Sequence, residues 1–134
     1  MSLRYLLDTN TVSLALRGKA PTVVERLRET QREIVGISVI TAMELQFGLA
    51  KTPSLKLRPT VERFLEVMEV VPLDRRVERP YAELRALLEK RGRPIGALDT
   101  MLAAHALALE ATFVTNNTKE FRRVPNLRCE DWCR

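Results

Sequence analysis

The sequence has little of what a zinc protein needs. It contains one histidine, His105, and two cysteines, Cys129 and Cys133, among its 134 residues. A zinc site takes about four sulfur, nitrogen or oxygen ligands, so a cysteine–histidine zinc site cannot be assembled within one chain. The cysteines stand at a C-x-x-x-C spacing, and we interpret them as two thiols rather than as a disulfide framework. Any metal bound by this chain is therefore expected to have oxygen ligands.

Aromatic residues and long apolar runs are also scarce. Aromatics make up 5% of the chain, which argues against a platform that stacks single-stranded bases. No segment approaches the roughly 20 apolar residues of a membrane span, and no secretion signal is evident, so we expect a cytoplasmic protein. What the chain does have is basic charge. The net charge of +5 indicates an acidic partner, which is nucleic acid, an anionic membrane surface or an acidic protein.

Short apolar segments alternate with helical patterns along the chain. Strands are predicted at residues 5–7, 34–38, 69–73 and 112–115, and a short edge strand at 127–130. Strands separated by helices of this length form βαβ units around a parallel sheet. We therefore predict an α/β fold of three α/β/α layers with four to five parallel strands, in one domain spanning residues 1–134.

Asp8 ends the first predicted strand abruptly, after Leu6 and Leu7. Open α/β sheets place their ligands beside the carboxyl ends of such strands, so Asp8 is a candidate site residue. Thr9 or Asn10 is then the expected N-cap of the following helix. The alternative is that Asp8 is itself only a helix cap, because aspartate is favoured at that position.

Asp99 stands near the start of a strongly apolar helix. At helical spacing it shares a face with Leu102, Ala103 and Ala106, and that face is expected to point into the core. A carboxylate on such a face is costly to bury unless it is paired or binds a metal. The alternative is that Asp99 is the N-cap of its helix.

Glu44 is the second carboxylate on a helix face that we expect to point into the core, where it lies among Ile40, Met43 and Phe47. Clustered carboxylates repel one another, and a divalent cation relieves that repulsion. Oxygen ligands without a histidine partner favour Mg²⁺ or Mn²⁺. Such an ion activates water and neutralises a phosphodiester, so the acidic residues and the basic charge together indicate a metal-dependent nuclease.

Five segments, taken in order, resemble VapC-type toxins, which are PIN-domain ribonucleases of type II toxin–antitoxin pairs. The segments are Tyr5-Leu6-Leu7-Asp8-Thr9-Asn10, Ile40-Thr41-Ala42-Met43-Glu44-Leu45, Gly92-Arg93-Pro94-Ile95-Gly96 with Asp99, Thr115-Asn116-Asn117-Thr118-Lys119-Glu120-Phe121 and Glu130-Asp131-Trp132. The resemblance covers essentially the whole chain, and the order of the motifs makes it specific.

The resemblance implies a Mg²⁺-dependent endoribonuclease that cuts structured RNA, in loops of tRNA or rRNA, by metal-activated water. Asp8 and Asp99 match the family's principal metal ligands, with Glu44 as the third acidic member. Asn117 stands where many PIN domains have aspartate, so either Glu120 supplies the fourth charge or Asn117 supplies only a neutral oxygen. Thr115 resembles the hydroxyl that orients the acidic cluster in the family.

The same resemblance implies the partners. We expect a cognate VapB-type antitoxin that occupies the active-site groove, contact with operator DNA only through that antitoxin, a homodimer, and no membrane partner. Arg91, Arg93, Lys119, Arg122 and Arg123 flank the expected site and are candidates for RNA phosphate contacts.

Two rival functions remain at this stage. One is a phosphatase-like hydrolase with Asp8 as nucleophile, which expects a second aspartate where this chain has Asn10. The other is a PIN scaffold that only binds RNA or protein, although Asp8, Glu44 and Asp99 together argue against lost activity. His105 lies about 120° around the helix from the acidic face, so we interpret it as structural. Trp132 is interpreted as an apolar plug on the core.

Overall fold

The computed structural model describes residues 2–134 and contains a five-stranded parallel sheet. The strands are β1 (Tyr5–Leu7), β2 (Val35–Ser38), β3 (Glu69–Val71), β4 (Thr112–Val114) and β5 (Cys129–Glu130). Their order across the sheet is β3-β2-β1-β4-β5, and each pair of neighbours runs parallel. The predicted parallel sheet is confirmed, with five strands.

The helices are α1 (Thr9–Leu16), α2 (Pro21–Glu29), α3 (Val39–Lys51), α4 (Leu57–Val67), α5 (Glu78–Lys90), α6 (Ala97–Leu109) and the short α7 (Thr118–Phe121). Several boundaries differ from the predicted ones. β3 ends at Val71 rather than at Leu73, because Pro72 has no N–H to continue the ladder. α3 runs through Gly48 to Lys51, and Ser38 caps its start.

The two faces of β1 belong to two different hydrophobic cores. Leu6 packs with Leu102 and Phe113 in one core, and Leu7 packs with Val12 and Trp132 in the other. Successive residues of a strand point to opposite faces. Both leucines are completely buried, so helices cover the sheet on both sides and the predicted three layers are confirmed. Trp132 is 1% exposed, in agreement with its interpretation as a core residue.

The sheet topology places one crevice at the centre of the molecule. From β1 the chain first adds β2 on one side and later adds β4 on the other, so the strand order reverses at β1. Leu7 pairs with Ile37 of β2 and with Val114 of β4. The residues that follow these strands, from Asp8 and Thr115 onwards, therefore meet at one edge, where open α/β sheets bind ligands.

The seven α-helices of the described residues are short, from 4 residues in α7 to 13 in α3. Over residues 2–134, no helix has the length and apolar character that crossing a membrane requires.

Candidate active site

Asp8 is both a helix cap and a member of the central crevice. Its Oδ1 accepts a hydrogen bond from the Thr11 backbone N–H at 2.8 Å, so Asp8 rather than Thr9 or Asn10 is the N-cap of α1. Its Oδ2 accepts from the Thr115 hydroxyl at 2.6 Å. The two readings of Asp8 are therefore compatible, because the cap uses one oxygen and the crevice residues surround the other.

Thr115 fixes the orientation of the Asp8 carboxylate. Its side chain is completely buried, and its Oγ1 accepts from the Asn117 backbone N–H at 3.0 Å. The hydroxyl hydrogen is then free to donate to Asp8. Burial raises the pKa of Asp8, and the hydrogen bonds from Thr115 and Thr11 oppose that rise. The Thr115 hydroxyl therefore helps to keep a buried carboxylate ionised.

Glu44 is held by Thr9, and Thr9 is held in turn by Thr41; neither threonine was predicted as a site residue. Its Oε1 accepts from the Thr9 hydroxyl at 2.7 Å, and the Thr9 Oγ1 is 3.0 Å from the Thr41 Oγ1. Because Thr9 donates to Glu44, Thr41 must donate to Thr9. Their positions offered a signal: Thr9 directly follows Asp8, and Thr41 precedes Glu44 by three residues, which places it on the same face of α3.

The predicted buried face of α3 was wrong. Met43 is 63% and Phe47 is 64% exposed. The buried residues of α3 are instead Ile40, Thr41, Leu45 and Leu49. Glu44 lies at the margin of this buried face and is partly exposed, so it reaches the crevice without being enclosed in the core.

Asp99 lies near three other carboxylates, whose charges act on it. Gly96, and not Asp99, is the N-cap of α6, so the capping alternative for Asp99 was wrong. Its face-mates Leu102, Ala103 and Ala106 are buried as predicted. Burial raises the pKa of Asp99 to about 6, with further contributions from the charges of Glu120, Asp8 and Glu44 in that order.

Asn117 and Glu120 form a pair beside this cluster. The Asn117 Nδ2 donates to the Glu120 Oε2 at 2.8 Å. Asn117 is exposed and Glu120 is partly exposed. The amide thus orients Glu120, and the charge of Glu120 is the largest charge contribution to the raised pKa of Asp99.

The acidic residues have the chemistry for a hard divalent cation but are not preassembled as a close ligand cage. Across residues 2–134, no group of three or more His, Cys, Asp or Glu side chains is arranged closely enough to hold a metal directly. Mg²⁺ typically keeps several waters and takes only one or two carboxylates from the protein. Asp99 and the three carboxylates whose charges raise its pKa fit such a hydrated ion.

The raised pKa of Asp99 predicts how charge at this residue affects folding. A carboxyl whose pKa is higher in the folded state costs stability as pH rises from its unfolded pKa to its folded pKa, and the full cost is present above the folded pKa. In EDTA at about pH 7.5, Asp99→Asn is expected to increase the free energy of unfolding by about 1–2 kcal/mol. The gain should shrink as pH falls from about 6 and vanish below the ordinary value of 3.8, where wild-type Asp99 is protonated in both states. Urea unfolding of wild type and Asp99→Asn at about pH 7.5 and at a pH below 3.8 measures this gain. A difference in the free energy of unfolding that does not change with pH would contradict the prediction.

A groove leads away from the acidic cluster between α1, α3 and α4. Its cavity measures about 560 Å³. The lining includes the polar residues Thr9 and Glu44, the basic residues Arg17 and Lys51, and the apolar residues Leu45, Leu49 and Val61. Of the basic residues that were predicted to flank the site, Arg91, Arg93, Lys119 and Arg122 are exposed. Arg123 is partly buried, and its Nη2 donates to the Pro94 carbonyl at 3.2 Å in the loop before α6.

The family match, the sequence relatives and the structural neighbours of this chain all indicate the same group of proteins. The chain matches the PIN domain family over residues 5–127. It is 38% identical to the tRNA(fMet)-specific endonuclease VapC of Salmonella typhimurium, covering 98% of this chain and 99% of that protein. The crystal structure of DNA-bound VapBC from Salmonella typhimurium contains a chain with TM-score 0.89 and 36% identity, covering 98% of this chain and 99% of that one. The crystal structure of VapBC2 from Rickettsia felis, bound to a promoter DNA fragment, contains a chain with TM-score 0.86 and 35% identity, covering 97% of this chain and 99% of that one.

Proposed function

This chain belongs to the PIN domain family, and on that premise we propose that it is a VapC-type ribonuclease toxin of a type II toxin–antitoxin pair. The proposed reaction is Mg²⁺-dependent endonucleolytic cleavage of structured RNA in a loop of tRNA or rRNA, with Mn²⁺ as an alternative metal. The observation that supports it most is the 38% identity to a tRNA-specific VapC endonuclease over 98% of this chain. The site agrees with it, because Asp8, Glu44 and Glu120, from different elements, lie close enough to Asp99 for their charges to act on that residue.

In this proposal Asp8 and Asp99 hold the metal, with Glu44 as the third acidic residue. A bound Mg²⁺ supplies a Lewis acid that makes water more nucleophilic and neutralises phosphate charge. The chain contributes the positioning: Thr115 orients Asp8 and Thr9 orients Glu44.

Glu120 supplies the fourth negative charge in this proposal, and Asn117 supports it. The support is the hydrogen bond from the Asn117 amide to the Glu120 carboxylate, which leaves Asn117 as a donor that directs the charge of Glu120. The exposed arginines and Lys119 around the crevice are the proposed contacts for RNA phosphates.

The proposed inhibitor is a cognate VapB-type antitoxin, since the similar Salmonella and Rickettsia chains occur in VapBC complexes bound to DNA. The groove beside Glu44 fits an extended or helical antitoxin segment with apolar residues and a basic residue at the acidic end. Operator DNA would be contacted through the antitoxin, and the toxin is proposed to form a homodimer.

A phosphatase-like hydrolase receives no support from the residues around Asp8. Such an enzyme expects a second aspartate at position 10, where Asn10 instead donates to the Asn116 Oδ1 at 3.0 Å on the surface. The binding-only PIN scaffold is likewise not favoured, because Asp8, Glu44 and Asp99 are all present.

Metal removal tests the proposed function directly. Purified wild-type protein incubated with total tRNA and Mg²⁺ or Mn²⁺ is expected to release discrete fragments, and EDTA is expected to stop cleavage, because the carboxylates alone supply no Lewis acid. Expression without the antitoxin should arrest growth, and co-expression of the upstream neighbouring gene should relieve the arrest. Absence of cleavage with either metal, or cleavage that EDTA leaves unchanged, would overturn the proposal.

A further inference from the structure

The helix that carries Asp99 is held in place mostly by small apolar side chains. Ala103, Ala104 and Ala106 are completely buried, and Leu102 is 1% exposed. Apolar burial is non-directional, so it defines the rotation and axial position of α6 less sharply than a hydrogen bond does. Within residues 2–134, the Asp99 carboxylate has no side-chain hydrogen bond of its own. Its position therefore depends on how α6 is seated.

His105 provides the directional contact that α6 otherwise lacks. Its ring is 1% exposed, and its Nδ1 lies 2.8 Å from the Oγ of Ser38. In the described part of the chain, His105 is the one residue of α6 whose side chain is hydrogen-bonded to another strand or helix. Ser38 is completely buried and is both the last residue of β2 and the N-cap of α3.

The hydrogen-bond inventory of Ser38 defines the role of each partner. Its Oγ accepts from the Ile40 backbone N–H at 3.1 Å, so its own hydrogen is available to donate to the His105 Nδ1. The ring proton then belongs on Nε2. Burial lowers the pKa of His105, which keeps the ring neutral and able to accept.

We propose that Ser38 and His105 form a positioning pair that fixes Asp99 relative to Glu44. Glu44 lies six residues after Ser38 on α3, and Asp99 lies six residues before His105 on α6. Each carboxylate is thus about 9 Å along its helix from the pair. A small rotation of α6 at His105 displaces Asp99 with respect to Glu44 and spoils the geometry of a shared cation. The inference rests on the proposed function and adds to it two residues that touch neither metal nor RNA.

The experiment measures Mn²⁺ affinity in the absence of RNA, from the EPR signal of the free ion. Ser38→Ala and His105→Leu are expected to raise the Kd of Mn²⁺ about tenfold, the low end for residues that orient ligands. His105→Asn retains an acceptor near the Nδ1 position and should stay within about threefold of wild type. The matched control is Leu88→Ala on α5, since Leu88 is 2% exposed in the core that α6 shares and makes no polar contact there. It should lower the unfolding temperature and leave the Kd of Mn²⁺ unchanged.

The double variant Ser38→Ala/His105→Leu separates the pair from the capping role of Ser38. If the two residues act as a unit, its Kd equals that of Ser38→Ala, whereas independent effects multiply. Unchanged Kd values in both single variants, or multiplied effects in the double variant, would overturn the proposal that the two residues act as a pair. If His105→Leu does not fold, the comparison is made between Ser38→Ala and His105→Asn. Wild type that binds Mn²⁺ but cuts no RNA overturns the proposed function alone. Wild type that binds no Mn²⁺ overturns both.

Discussion

Asp8→Asn is expected to reduce RNA cleavage by at least about 10³-fold while the protein stays folded. Asparagine is as good an N-cap as aspartate, so its Oδ1 can still accept from the Thr11 N–H at the start of α1. What the substitution removes is the negative charge beside Asp99 and Glu44. Losing about 4 kcal/mol of metal-dependent transition-state stabilisation corresponds to a factor of about 10³ in rate. The measurement is the initial rate of tRNA cleavage in saturating Mg²⁺.

The comparison variant for this prediction is Asp8→Ala, which removes the cap and the charge together. Its cleavage should be lost to the same extent, but it should also unfold at lower urea concentration because the first turn of α1 loses its cap, at a cost of about 1 kcal/mol. Near-wild-type cleavage by Asp8→Asn would mean that Asp8 serves only the helix, which is the alternative that the sequence left open.

The fold was predictable because its signals are local and consistent. Leu6 and Leu7 form a short apolar run without alternation, which is typical of a strand covered on both faces, and both residues are completely buried. The helical segments between strands are too long for hairpins and so imply parallel crossovers. The parallel sheet and its two helical layers followed from these two features, and the similar VapBC chains share the fold.

The buried face of α3 was not predictable in the same way. Met43 and Phe47 form one apolar stripe, whereas Leu45 and Leu49 form another, displaced around the helix. Local periodicity does not decide which stripe faces the sheet, and the exposed one turned out to be Met43 and Phe47. α6 offered no such choice, since nearly every residue from Thr100 to Ala106 is buried. The face of Asp99 was therefore predicted correctly.

The hydrogen bonds within the site lay beyond sequence reasoning for a different reason. Thr9 and Thr41 are 32 residues apart, and only the packing of α1 against α3 brings their hydroxyls to 3.0 Å. Asn117 and Glu120 are close in sequence, and that spacing made Glu120 a candidate. It did not reveal that the amide donates to the carboxylate. Charged residue types could be read from the chain, but the polar groups that orient them depend on tertiary contacts.

Trp132→Ala is expected to lower the free energy of unfolding by about 3–5 kcal/mol, the range for removing a fully buried aromatic side chain. The Trp132 ring lies 5.2 Å from the Tyr5 ring and 4.7 Å below the Arg26 guanidinium, and it is 1% exposed. Its Nε1–H donates to the Glu130 Oε1 at 2.9 Å, and its carbonyl accepts from Thr22 at 2.8 Å. The ring thus attaches the segment after β5 to β1 and α2. Urea unfolding in EDTA measures the loss.

Trp132→Phe distinguishes this anchoring role from stacking on RNA bases. Phenylalanine keeps most of the buried area and loses the indole N–H, so it should cost about 1–2 kcal/mol. A ring that is 1% exposed has no face to offer a base, so tRNA affinity and cleavage rate should stay within about twofold of wild type. The ion pair of Arg26 with Glu130 is solvent-exposed and adds little by itself. If Trp132→Ala lowers the free energy of unfolding by less than about 1 kcal/mol, the segment after β5 packs without contributing to stability. A selective loss of tRNA affinity in Trp132→Phe would contradict the buried position of the ring.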